Sequence, residues 1–333
     1  MRAVWTWILL GLALVGAGRG WAGPAGGKPP EFAKIAGHDY VSMRDWAAAN
    51  ELQPRWIKPE KSLAVANPRI RLVFEMDSRD VDLNGVKVRL SFPVLLRDGV
   101  VWLSRLDVQA ALRPVLHPPR QSGPRRPLRI VLDPGHGGKD PGFEDGERQE
   151  KRYTLLLAEQ LTLELRAAGC EVFLTRTNDQ YVQRELRADL ARQRKADLFI
   201  SLHWNSVGSV RNDAQGAQVY CMTPAGAASS NADGGETVGE AYAGNRCDDR
   251  NMLLAYSIQR ALTKLPGLED RGVLRARFEV LRLAEMPAVL IEGGFMSHPA
   301  ESKRIYDPSY RRQLARAITT GVLAYRKQLS RAN

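Results

Sequence analysis

The chain has 333 residues, 44% hydrophobic and 26% charged, which excludes a polypeptide too small or too polar to bury a sizeable core. Its net charge of +11 comes mostly from arginines scattered along the chain, and a solvated basic surface accounts for it as well as an anionic partner does. Among anionic partners, nucleic acid, phospholipid and cell-wall polymer all remain open on charge alone.

In chain order, residues 1–22 place Arg2 before an apolar run from Ala3 to Ala17 and then small residues, the pattern of a secretory signal peptide. An uncleaved membrane anchor is the alternative, although the run is short for a span. No later stretch is long and apolar enough to cross a bilayer, so no stable membrane insertion is expected after signal cleavage. Export would permit a disulfide, and Cys221 with Cys247 is the pairing that the three cysteines favour, against two thiols left free.

Residues 38–116 read as a small β-rich domain. Val86, Val88, Leu90 and Phe92 alternate with polar residues after an Asn84-Gly85 bend, which predicts a hairpin. A second turn is expected at Asp98-Gly99 and a short helix around Val108 to Leu112. Four prolines within residues 117–127 predict an extended linker, in which His117 is simply solvated.

From Leu128 to about residue 330, strands and helices alternate, the pattern of an α/β three-layer sandwich with a central mixed or parallel sheet. Helices are expected at Arg148 to Ala168, Arg184 to Lys195, Asn251 to Lys264 and Ser309 to Gln328. Between them lie the strands LRIVL, EVFLT, DLFISL, AQVYCM and AVLIE.

Four residues fall at the ends or starts of these elements. His136 follows the first strand, Glu150 opens the next helix, His203 ends DLFISLH and Glu292 ends AVLIE. Ligands in open α/β sheets gather beyond the carboxyl ends of strands, so the four are expected to converge. Glu150 shares a helical face with Leu157 and Leu161, where a carboxylate needs a cation; its bland alternative is a favourable interaction with the helix dipole. Two imidazoles and one carboxylate suit Zn2+ with one position open for water, a hydrolytic rather than a structural site. Glu292 is the candidate general base; hydrogen bonding to the Gly293-Gly294 turn is the competing role. Glu285 is less well placed. Gly135, Gly137 and Gly138 give the backbone freedom and space around His136, and Asp133 is expected to orient the loop or a ligand histidine.

The segments DPGHGGKDPG, QEK, SLHWN and VLIEGGFMSH, with DRGV and MPAVLIE between them, resemble the zinc-dependent N-acetylmuramoyl-L-alanine amidases over about residues 128–327. The resemblance implies that His136, Glu150 and His203 bind zinc and that Glu292 is catalytic. It implies as target the amide between the lactyl group of N-acetylmuramic acid and L-alanine of the stem peptide. It further implies an enzyme of the periplasm or cell envelope whose partner is peptidoglycan and not nucleic acid, with room for a protein activator. Two different functions compete with it: a non-catalytic cell-wall-binding protein, and a zinc hydrolase acting on another amide. His298 stands where the family usually has Asn and reads as a turn residue rather than a ligand. Residues 223–250 are rich in Gly, Ala, Ser and Asn and predict a loop beside the cleft, not the occluding helix of some related amidases. The β-rich domain is similar to the small N-terminal domain of some copper amine oxidases, which implies wall docking or spacing and no copper chemistry, because its one clear histidine, His38, is expected outside the hairpins.

Overall fold

Strict alternation along three neighbouring strands builds two cores on the two faces of one sheet. Ile130 and Leu132 of β10 (Arg129–Pro134) face one core, as do Leu198, Ile200 and Leu202 of β14 (Leu198–Asn205); Val131 and Phe199 face the other. In β17 (Ala288–Phe295), Val289 and Ile291 share the first face, while Ala288 and Leu290 share the second. Period two therefore assigns Ser201, His203 and Glu292 to the second face as well. The computed structural model describes residues 31–120, 126–208, 213–232 and 238–330. The expected signal peptide, the centre of the linker and part of the 223–250 segment lie outside them.

The chain opens with β1 (Phe32–Ile35), β2 (His38–Ser42) and α1 (Met43–Ala49), followed by the meander β3 (Gln53–Lys58), β4 (Ser62–Ala66), β5 (Arg71–Glu75), β6 (Asp80–Leu83) and β7 (Val86–Arg89). The hairpin of β8 (Leu95–Arg97) and β9 (Val100–Ser104) leads to α2 (Arg105–Asp107), a π-helical turn at Val108–Leu112, and α3 (Arg113–Leu116). Both expected turns are present: Asn84 and Gly85 have φ of +52° and +80°, and Asp98 and Gly99 have +50° and +74°, the left-handed pairs that tight hairpins need. His38 departs from expectation, because it pairs with Ile35 in a β1–β2 hairpin that begins six residues before the anticipated domain start.

After β10 come the small hairpin β11 (Glu144–Asp145) and β12 (Arg148–Gln149), α4 (Glu150–Ala167), β13 (Glu171–Leu174) and α5 (Arg184–Gln193). Beyond β14 lie β15 (Ala217–Met222), α6 (Asp248–Leu262), β16 (Asp270–Ala276), α7 (Glu279–Arg282), β17, α8 (Pro299–Tyr306) and α9 (Pro308–Leu329). Helices α4, α6 and α9 cover the first face of the sheet, and α5 and α7 the second. The architecture is the expected mixed α/β sandwich: β13, β10, β14 and β17 run parallel, and β15 pairs antiparallel with β17.

The meander does not stand apart from this sheet. β7 pairs in parallel with β16 at Val88 and Val273, which extends the central sheet to 11 strands ending at β3. Gly272 permits the approach: its φ is +93°, and a Cβ there would stand 2.8 Å from the Lys87 carbonyl oxygen. The junction is reinforced by the Lys87 amide donating to Asp270 at 2.8 Å, Tyr256 donating to the Leu83 carbonyl at 3.2 Å, and the Arg113–Asp249 ion pair at 2.9 Å. A separate sheet, ordered β1-β2-β9-β8, remains at the N-terminus. No helix of the described residues is long and apolar enough to cross a membrane.

Candidate metal centre and active site

His136, Glu150 and His203 come together: one ligand atom from each lies within 4.8 Å of the others. Glu150 is the hub. Its Oε1 lies 3.1 Å from His136 Nε2 and 3.1 Å from His203 Nδ1, and it also accepts the Trp204 amide at 3.1 Å. Oε2 accepts the Phe143 amide at 3.1 Å. Burial opposes ionisation of this carboxyl, yet the hydrogen bonds from both imidazoles and their charge hold it well below the usual carboxylate range. For His136, burial works against protonation, but Glu150 and Asp140 outweigh it and raise the imidazole above its ordinary value.

The glycine-rich stretch after β10 is shaped around these three side chains. His136 itself adopts φ of +61°, a conformation costly for a residue with a side chain. A Cβ at Gly135 would collide with the His203 ring, and one at Gly142 would stand 2.6 Å from Glu150 Oε2 and 2.8 Å from His136 Cδ2. The loop is held from behind by arginines. Arg176, 1% exposed, donates to the carbonyls of Pro134 and Gly135, and Arg187 donates to those of Pro134 and His136.

Asp133 forms no hydrogen bond with the side chain of His136 or His203. It accepts from Thr175 at 2.7 Å, Ser201 at 2.8 Å and Arg187 at 2.8 Å, and so holds the His136 backbone through Arg187, consistent with a loop-orienting role. The carboxylate that contacts a histidine of the cluster is Asp140, whose Oδ1 lies 2.9 Å from His136 Nδ1. That contact fixes which ring nitrogen is left for Glu150 or a cation. Sequence reasoning passed over Asp140, although its place four residues after His136 in a tight loop was the available signal.

Glu292 lies beside His203 in the β14–β17 register and faces the same cleft. Its Oε2 is shut off from solvent and has no hydrogen-bond partner. Burial, followed by the negative charge of Glu150, raises its carboxyl well above the usual range. Across β15, Tyr220 accepts from Gln218 at 3.1 Å, and its own hydroxyl is pushed up to about 12 by burial and then by Glu292. The cleft has a volume of about 320 Å³ and contains His136, His203 and Glu292 in its wall, with Arg184 from α5, Glu279 from α7 and Phe278 just before α7.

These features test whether zinc fits. Two imidazole nitrogens and a carboxylate oxygen converge on one spot, with a second carboxyl group beside it that has a buried oxygen unsatisfied. The donor set is that of a catalytic rather than a closed site.

The other sequence expectations resolve individually. His298 is the N-cap of α8, its Nδ1 accepting the Glu301 amide at 3.2 Å, as a turn residue should. Glu285 is exposed and 3.8 Å from Arg246. The Cys221–Cys247 bridge is not formed: Cys221 points its thiol at the Leu274 carbonyl and Cys247 at that of Glu285, each at 3.7 Å. The described residues of 223–250 do not line the cleft. They pack instead against β16 and α7: the Ser230 amide donates to the Arg275 carbonyl, Gly244 lies against the Leu281 carbonyl, Asn245 ties the segment to its own Thr223 carbonyl, and residues 248–250 already belong to α6. Residues by the α7 end form that wall of the cleft.

The family model described as N-acetylmuramoyl-L-alanine amidase matches residues 130–324. Among curated proteins, the chain is 36% identical over 230 residues to N-acetylmuramoyl-L-alanine amidase AmiC of Neisseria meningitidis serogroup B, covering 62% of this chain and 55% of that protein. It is 33% identical over 207 residues to a probable cell wall amidase, LytH, of Staphylococcus epidermidis, covering 61% and 60%. The chain thus spans between half and two thirds of the length of these relatives. Among solved structures, AmiC2 of Nostoc punctiforme superposes with a TM-score of 0.50 at 31% identity, over 60% of this chain and 97% of that one. An N-acetylmuramoyl-L-alanine amidase from Clostridium difficile 630 does so with 0.50 at 32%, over 61% and 98%.

Proposed function

This chain belongs to the N-acetylmuramoyl-L-alanine amidase family, and we propose that it is an exported, zinc-dependent enzyme that hydrolyses the amide between N-acetylmuramic acid and L-alanine in peptidoglycan. The observation that carries the reading is the convergence of His136, Glu150 and His203 in one cleft with the unpartnered carboxylate of Glu292.

In this reading His136, Glu150 and His203 hold zinc, which when bound supplies Lewis-acid polarisation of the scissile carbonyl and a lowered pKa for water. Asp140 and the Glu150 contacts keep the two imidazoles in place before substrate arrives. Glu292 acts as the proton carrier: its carboxylate takes a proton from the attacking water and returns it to the amine of the departing L-alanine. Its raised affinity for protons, caused by burial and then by the charge of Glu150, favours taking the proton from water. The wall of Phe278, Val280 and Leu290 excludes bulk water from the reacting end of the cleft.

Export rests on the signal-like residues 1–22, and the basic surface suits an anionic wall polymer. The β-rich N-terminal unit is proposed to dock on or space the enzyme from the wall. Digestion of intact peptidoglycan tests the reaction: new L-alanine amino termini without new reducing sugar ends are expected. Reducing ends alone, or hydrolysis confined to free peptides, would contradict it.

A further inference from the structure

The cleft beyond the His–Glu–His cluster is unevenly charged. Arg184, the first residue of α5, and Glu279, the first residue of α7, both line it, together with the apolar Phe278, Val280 and Leu290. Most other ionisable groups lining the cleft are already committed. Arg187 is paired with Asp133 at 2.8 Å, Asp140 with His136 at 2.9 Å, and His203 faces Glu150 at 3.1 Å. Among the described residues, neither the Arg184 guanidinium nor the Glu279 carboxylate forms an ion pair, and the two do not pair with each other. The Arg184 charge acts through space on Asp140, which brings it near the His136 side of the cleft, but among the described residues its guanidinium has no direct hydrogen-bond partner. Arg184 does not hold α5 in place, as the buried Arg187 one turn later does, because it is exposed in the cleft.

We infer that Arg184 is a specificity-determining residue that binds a free carboxylate on the peptide portion of the substrate, and that Glu279, on the α7 part of the same cleft, sets the orientation. This rests on the amidase reading and names the kind of peptide that the enzyme prefers. A guanidinium offers a carboxylate two parallel donors, which a carboxamide cannot use with equal strength. Glu279 repels the same carboxylate from the α7 side, so an acidic group on the peptide is drawn toward α5 while any amino group is drawn toward α7. The preferred substrate is therefore a stem peptide that bears an unmodified carboxylate close to the scissile amide, rather than its amidated counterpart.

The test uses the full zinc-loaded chain and two soluble muropeptides identical except for carboxylate or carboxamide at the residue following L-alanine, with kcat/KM measured for each. The parent is expected to favour the carboxylate about tenfold, the scale of one charge-assisted contact. In Arg184→Ala that ratio should fall to about one, Arg184→Lys should restore part of it, and Arg184→Glu should reverse it. A residue that served only to keep the cleft in shape would lower both substrates alike and leave the ratio intact, which would overturn the inference. Equal cleavage of both substrates by the parent would overturn it too, while leaving the amidase reading in place. Cleavage of neither would remove the amidase reading itself. Isothermal titration of the two released peptides against Glu292→Gln provides a second readout, in which the carboxylate peptide should bind about tenfold more tightly and Arg184→Ala should abolish the difference. Equal affinities there would count against Arg184.

Discussion

Glu292 and Asp140 are the residues whose chemistry the structure defines most sharply, and only one of them was visible beforehand. Glu292 follows the apolar run Ala288–Ile291 within β17, so its placement followed from period two; Asp140 sits in a loop, where no periodicity points to a partner. Because the Glu292 carboxyl is raised by burial, the folded protein keeps a proton that the unfolded chain loses once pH passes the ordinary value of 4.5. Stability of the metal-free protein should therefore fall as pH rises above 4.5, toward the raised folded-state value, by at most about 1.4 kcal/mol per unit. Glu292→Gln should flatten that slope in urea titrations of metal-free protein at several pH values; an unchanged slope would show that the carboxyl is not desolvated. Asp140→Ala should weaken zinc binding about 10- to 100-fold by competition against a chelator of known affinity, because His136 loses the contact that fixes its ring. The raised His136 value gives a related expectation: zinc affinity should decline as pH falls through and below it, since protons compete for the ligand nitrogen.

At the scale of elements, the glycines around the first strand are explained by atoms brought from elsewhere. The sequence shows that the loop after β10 is unusual, but the reason for Gly135 is the His203 ring and the reason for Gly142 is Glu150. Gly135→Ala should thus leave secondary structure intact in circular dichroism while abolishing stoichiometric zinc binding, because the added methyl takes the space of the His203 imidazole. The four helices expected from the sequence, now α4, α5, α6 and α9, were legible to within about two or three residues at their ends from their periodicity, whereas the short α7 and α8 were not anticipated. The arginines were not. Arg176 and Arg187 look like ordinary surface charges in sequence, and only the carbonyl-rich loop folding over them shows why they are buried.

For the whole molecule, composition and element order supported two units joined by a linker, yet a strand-to-strand contact between β7 and β16 leaves one sheet running through both. Such pairing is set by distant chain segments and has no local signature. Its consequence is cooperative unfolding: the full chain should show one urea transition by both tryptophan fluorescence and circular dichroism. Gly272→Val should weaken the junction by ~2 kcal/mol or more through its positive φ and the nearby Lys87 carbonyl, and should separate the two probes. Coincident transitions in that variant would mean the shared sheet is not what couples the units.

The measurement that bears most directly on the proposed function compares the purified chain with Glu292→Gln for zinc content and peptidoglycan cleavage in parallel. The account predicts about one zinc in each protein, release of amino termini from wall by the parent, and loss of that release in the variant. Zinc-loaded parent that cuts no wall, or a variant that cuts as well as the parent, would contradict it.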